Sequence, residues 1–219
     1  MHAGGLRLIL DRREKEQDLE EIQVVNFRCV RGSWNCHRCR LNCGAASSAS
    51  AYDTCQSGGG PCGGRWSPGT INYHDSTGWA GAKHDAIVSS AQTWHNTPTS
   101  LYLYYDFSPT GPYQASVAQT NLDVMGYPIP AVTWTYYSGL TITGAQTYLN
   151  TTWTWYTDGT MNQPLKRVDV RTVTTHEMGH WMFLNHLCTA HPEAVMCPVF
   201  ATKWSLASDD VAGLQSLYP

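Results

Sequence analysis

Charge is scarce in this chain. Only 14% of its 219 residues are Asp, Glu, Lys or Arg, and lysine occurs four times, against a usual charged fraction of about 25%. The formal net charge is −3, which excludes a general nucleic-acid binder with its strongly basic face. Long apolar runs are missing as well: nothing approaches the ~18 consecutive residues of a membrane span. The first residues do not read as a secretory leader, which needs an apolar stretch of ~7–15 residues before a small-residue cleavage site. Residues 6–10, interrupted by Arg7, form the only apolar run there, and Asp11-Arg12-Arg13-Glu14-Lys15-Glu16 ends it. Gly58-Gly59-Gly60 lacks a following Gly-Lys-Ser/Thr, so it reads as a linker and not as a phosphate loop. No repeat at a fixed period is found.

What the chain does have is apolar and aromatic. Hydrophobic residues reach 42%, with 9 Trp and 12 Tyr, enough to exclude a disordered chain. The large rings read as core and cleft wall. Cysteines divide the chain. Six of the eight lie at Cys29, Cys36, Cys39, Cys43, Cys55 and Cys62. They allow fifteen pairings, and Cys36-His37-Arg38-Cys39 lacks a second well-spaced pair for a zinc finger. We therefore separate a Cys-rich segment of unknown role, residues 1–64, from a folded domain, residues 65–219. Within that domain the pattern predicts a strand over 70–73 and a helix over 83–95 with Ile87, Ala91 and Trp94 on one face, stopped by Thr97-Pro98. Residues 100–107 read as a strand with both faces covered, 132–137 and 147–155 as further β runs. A helix is expected over 168–182. Another is expected over 208–217, with Ser208 as N-cap and Asp209 and Asp210 at its positive end.

The chemistry sits in His176-Glu177-Met178-Gly179-His180. On a helix, His176 and His180 lie one turn apart on one face and can share a zinc ion, with Glu177 beside the metal's open position. Catalytic zinc takes three protein ligands and a water. His186 is the natural third, with His191 in reserve. If the helix continued, the six positions from His180 to His186 would turn the side chain by about 240° and carry it ~9 Å away. The chain must therefore leave the helix and fold back.

Downstream, Pro192-Glu193-Ala194-Val195-Met196-Cys197-Pro198-Val199-Phe200 and the final stretch Leu206 through Asp209-Asp210 to Leu217-Tyr218 resemble the matrixin family of metzincin metallopeptidases. The likeness spans about residues 65–219 and is most specific over 168–219. It implies an α+β, zincin-like fold: a twisted, mainly parallel mixed sheet with an active-site helix, a Met-turn and a C-terminal helix. It implies a zinc endopeptidase that hydrolyses peptide bonds in proteins through a zinc-activated water. By resemblance His176, His180 and His186 are the zinc ligands, Glu177 the general base and acid, and Met196 the turn methionine beneath the metal. Thr172, Pro198, Val199 and Phe200 then line the pocket for the residue after the scissile bond, while Asp209 and Asp210 tie the last helix to the Met-turn or the amino terminus. Cys188 and Cys197 bracket the loop between third ligand and Met-turn and are a candidate disulfide. The family also implies protein or peptide substrates, a monomer, and an extracellular location despite the start of the given sequence. A Ca2+ ion beyond the one catalytic Zn2+ rests on the family alone, since no calcium-loop motif is found.

The chain departs from HExxHxxGxxH at Phe183, where the family's glycine makes the turn, so either the turn is built differently, with Asn185 taking the unusual geometry, or zinc binding is weakened. Leu187 replaces the residue that marks the subfamily. Pro61-Cys62-Gly63 is faintly similar to the propeptide core that offers a thiolate to the metal, without its arginine. Two other functions remain open on the residues: a non-catalytic peptide-binding module with the same cleft, and an intracellular Cys-rich zinc-binding protein. Peptide deformylases share HExxH, but their cysteine-ligand context is absent.

Overall fold

The computed structural model describes residues 23–26 (backbone only), 63–108, 113–186 and 191–219. At the centre of the fold two helices pack against one face of a six-stranded mixed sheet. β2 (Gly69–Asp75) alternates, with Ile71, Tyr73 and Asp75 buried, the period-two signature of a strand with one face on a core. α1 (Ala82–His95) follows Gly81, whose φ of 59° suits glycine. It buries Ile87, Ser90, Ala91 and Trp94. Pro98 follows closely, with no N–H to carry the helix on.

β3 (Leu101–Tyr105), β4 (Ala115–Thr120), β5 (Ala131–Ser138) and β6 (Thr141–Asn150) complete the sheet with β1 (Gln23–Asn26), in the order β1-β5-β6-β4-β2-β3. β2 pairs parallel with β3 and β4, and β4 parallel with β6. β5 runs antiparallel to β6, and β1 antiparallel to β5. β7 (Thr154–Tyr156) and β8 (Arg167–Asp169) form a small parallel pair. β8 leads directly into α2 (Val170–Trp181), and α3 (Ser208–Leu217) closes the chain. The mainly parallel mixed sheet with three helices is the α+β architecture expected.

Details differ from the sequence-based expectations. Helix α2 starts at Val170 because Val168 is taken into β8. Residues 147–155 split into the end of β6, a turn, and β7. The strand at 101–105 has only one covered face: Leu101 and Leu103 are buried, but Tyr102 and Tyr104 are 50% and 59% exposed, and β3 is an edge strand. Ser208 is the first helical residue, not the cap. The cap is Ala207, whose N–H is accepted by the Asp210 carboxylate (2.8 Å). The outer edge of β5 is paired with β1.

The two ends of the domain meet beneath α2. The Trp66 indole donates to the Trp181 carbonyl (2.8 Å), and the Trp66 backbone N–H donates to the Tyr218 hydroxyl (3.1 Å). All three side chains are buried, so no water replaces a lost partner. We expect Tyr218→Phe to strand the Trp66 N–H and cost about 1–3 kcal/mol. Denaturant unfolding measures it, and an unchanged midpoint would show that the bond is not structural.

Candidate metal centre

Helix α2 is buried on nearly all sides, yet rich in hydroxyls. Thr174 and Thr175 donate to the carbonyls of Val170 (2.8 Å) and Arg171 (2.6 Å), one turn back, and Trp94 Nε1 donates to the Thr175 carbonyl (2.8 Å). Its N-cap, Asp169, is fully buried and accepts three N–H donors: Thr172 N (2.7 Å), Gly159 N (2.9 Å) and Trp204 Nε1 (2.8 Å). That cap fixes the start of the helix.

The far end reverses the chain. Phe183 N donates to the His180 carbonyl and Leu184 N to the Gly179 carbonyl, both at 3.1 Å, the paired bonds of a Schellman motif. The C′ position requires a left-handed residue, and Phe183 takes it at φ 70°. Of the alternatives read from the sequence, the turn thus keeps its geometry with Phe183 itself in the glycine conformation, and Asn185 is not among the positive-φ residues. Such strain costs about 1–3 kcal/mol. The ring offsets it: Phe183 is 1% exposed and packs edge-on against Tyr137 (5.9 Å), and burying a Phe contributes about 1.5–3 kcal/mol. Gly64 lies so close that a Cβ there would collide with this ring.

The reversal brings His186 back. Its Nε2 lies 3.0 Å from His176 Nε2 and 3.1 Å from His180 Nε2. Ligand nitrogens on a tetrahedral zinc, each about 2.0–2.1 Å from the ion, lie roughly 3.3 Å apart. Backbone carbonyls set two of the rings: His176 Nδ1–H donates to Val195 O (2.8 Å) and His180 Nδ1–H to Leu184 O (2.7 Å). A carbonyl can only accept, so both neutral rings turn bare Nε2 lone pairs inward. One proton on His186 could satisfy one of these contacts and not the other, whereas a cation satisfies all three. Burial also keeps a second proton off each ring: it pushes His176 down to about 4, His186 down to about 3, and His180 well below its ordinary value. Neutral imidazole is the metal-binding form, and these three side chains could hold a metal ion.

Glu177 is buried beside them. Thr133 Oγ1 donates to its Oε2 at 2.6 Å, and desolvation raises the carboxyl to about 7 against that bond. Met196 is buried beneath the helix, its sulfur so close to Gly179 that a Cβ there would overlap it. The loop that bears Met196 is gripped from both sides. The Asp210 carboxylate accepts from Val195 N (2.8 Å) and Met196 N (3.1 Å), and the Lys203 ammonium donates to the carbonyls of Pro192, Ala194 and Cys197. Asp209 is buried too, but its Oδ1 has no partner among the described residues.

The pocket residues are placed less closely. Thr172 Oγ1 accepts from Lys203 N (3.3 Å), Phe200 stacks on Trp153 (6.0 Å between centroids), and Pro198 and Val199 are partly exposed. His191 is not brought to the cluster; it pairs with Glu193 (3.1 Å). His84 is held by Asp75 (2.8 Å) and His74 by the Asp106 carbonyl (2.8 Å). Cys62, Cys188 and Leu187 lie outside the described residues. Sequence reasoning missed Thr133, Gly179, Lys203 and the two carbonyls that orient the rings. Only Thr133 left a signal: Thr133 and Thr135 alternate onto the inner face of β5, where polar side chains need partners.

The matrixin family model matches residues 61–219. The chain belongs to the matrixin family. That membership implies a metalloprotease acting on protein substrates. No curated protein matches the chain. Among the described residues no helix is long and apolar enough to cross a membrane.

Two substitutions test this geometry. Gly179→Ala drives a methyl into Met196 and Trp94. It should destabilise by about 1–3 kcal/mol and weaken zinc retention, measured by thermal melting and metal titration. A wild-type melt would contradict the close packing. Phe183→Gly relieves the backbone strain but empties the ring site, and a cavity of that size costs about 3–5 kcal/mol. Net destabilisation of roughly 1–3 kcal/mol is expected after the relief of strain. A variant more stable than the parent would mean that strain outweighs packing.

Proposed function

We propose that the chain is a zinc-dependent endopeptidase whose catalytic unit spans residues 65–219. The observation that carries this reading is the convergence of three inward-facing imidazole nitrogens beside one buried carboxylate. His176, His180 and His186 would hold the ion. Zinc held there would supply a Lewis acid that lets water lose a proton near neutral pH. Glu177 takes the proton from the attacking water and passes it to the leaving amine. A carboxyl raised to about 7 by burial matches a shuttle that must both accept and release a proton near neutrality. Met196 serves as the apolar floor of the site. Thr172 and the segment Pro198, Val199, Phe200 wall the pocket for the residue after the scissile bond, which we expect to be apolar.

An extended substrate would add along β5, above α2, by strand addition. β1 pairs on that edge, so a substrate using it competes with the chain's own residues 23–26. Cys197, buried next to the Lys203 grip, is assigned a disulfide to Cys188, which would pin the intervening loop. We take the protein to act as a secreted monomer. Residues 1–64 are kept as a Cys-rich N-terminal segment, of which residues 23–26 pair with β5.

Cleavage of a quenched-fluorescent peptide library, with and without a zinc chelator, tests the reading. Chelator-sensitive hydrolysis is expected. Glu177→Ala should lower turnover by about 10²–10⁴-fold while zinc stays bound. Undiminished hydrolysis in that variant would overturn the assignment, and a folded, zinc-loaded wild type that cleaves nothing would favour a peptide-binding module.

A further inference from the structure

Three buried side chains on three different elements lead to Glu177. The Trp181 indole Nε1 lies 2.9 Å from Thr147 Oγ1, Thr147 Oγ1 lies 2.7 Å from Thr133 Oγ1, and Thr133 Oγ1 lies 2.6 Å from Glu177 Oε2. Trp181, Thr133 and Thr147 are shut off from solvent. An indole nitrogen only donates, and each hydroxyl has one proton. Thr147 therefore accepts from Trp181 and sends its own proton to Thr133. Thr133 in turn sends its proton to the carboxylate, at the short distance of a hydroxyl bound to an anion. The reversed direction leaves the Thr147 hydroxyl hydrogen without an acceptor in a site that water does not reach.

We propose that Thr133 is a positioning residue for Glu177, holding Oε2 through a one-way hydrogen-bond chain that starts at Trp181 and passes through Thr147. This deepens the endopeptidase reading and rests on it. Thr133 projects from the inner face of β5, the strand along which a substrate would add, while Glu177 rides on α2 one residue from a metal-site histidine. The bond thus ties the carboxylate to the strand and leaves Oε1 for the chemistry. Its value lies in orientation: a carboxylate that can rotate away from the attacking water loses rate without losing binding. Two neighbouring contacts show the same coupling of sheet to helix. Thr133 Oγ1 also lies 3.2 Å from the Glu177 carbonyl, and Thr135 donates to the His180 carbonyl (3.1 Å). The chain begins and ends on α2, at Trp181 and Glu177, so the helix that carries the carboxylate also carries the donor that sets its orientation.

The test compares Thr133→Val, which keeps the shape and removes the hydroxyl, with Thr133→Ser, which keeps the hydroxyl, and with Thr147→Val, which cuts the chain one step earlier. Full-length proteins are assayed with the fluorogenic peptides, bound zinc is quantified, and crystal structures are determined. In Thr133→Val, kcat should fall by at least about tenfold with KM and zinc content unchanged, and the Glu177 carboxylate should leave its place. Thr133→Ser should recover kcat to within about threefold and keep the carboxylate in place. Thr147→Val should show a smaller loss in kcat. Wild-type kcat in folded Thr133→Val, or equal losses in Thr133→Val and Thr133→Ser, would overturn the proposal. If Thr133→Val does not fold, wild-type kcat and an unmoved Thr133 hydroxyl in Thr147→Val would overturn the chain. If the wild type itself hydrolyses nothing, the endopeptidase reading fails. The carboxylate positions in the crystal structures then decide the positioning claim on their own.

Discussion

A helix cannot place three histidines around one point when the third follows the second by six positions; the chain has to turn back within a few residues of His180. Everything at the site depends on that reversal. The Schellman bonds from Phe183 and Leu184 make it, and the Leu184 carbonyl, exposed to the helix end by the turn, accepts the His180 Nδ1–H. The turn that delivers His186 is therefore also the device that aims His180. A bulky residue in the left-handed position is tolerated because its ring is roofed by the Gly64 backbone and flanked by Tyr137. Strain and burial are of the same order there, which is why an aromatic stands where a glycine would be free of strain.

The second ring is aimed from the other side of the site. Val195 O receives the His176 Nδ1–H, and Val195 belongs to the loop gripped by Asp210 through its amides and by Lys203 through its carbonyls. A carboxylate on the N–H side and an ammonium on the C=O side complement the peptide dipoles of that loop. Asp210 also takes the Ala207 N–H at the head of α3. The final helix is thus joined to the orientation of His176 through a short series of hydrogen bonds.

The sequence carried the parts of this that follow from periodicity and from dense motifs. Two histidines four apart on a helix, and a third that must fold back, could be stated without coordinates, as could the α+β class once the likeness to matrixins was seen. What stayed hidden has physical causes. Carbonyl oxygens have no residue identity, so the acceptors at Val195 and Leu184 leave no mark in the chain. Gly179 sits inside a helix, where glycine is merely unfavourable, and its closeness to Met196 is a tertiary fact. Lys203 looked like any surface lysine. The pattern of β3 misleads because Tyr102 and Tyr104 are apolar enough to seem covered, whereas both stand on an exposed face. Ser208 is a good capping residue one position too late, since Asp210 does the capping from inside the helix.

The meeting of Trp66 with Trp181 and Tyr218 has a mechanical consequence. Chain entering the domain and chain leaving it are fastened to each other and to the last turn of α2, directly before the residues that carry His186. A pull on the segment preceding Trp66 is shared between that junction and the sheet, where Arg65 N donates to the Leu140 carbonyl and the Arg65 carbonyl accepts from Ile142 N. The chain at Arg65 and Trp66 is therefore anchored both to the sheet and to the turn of α2 that precedes the third histidine.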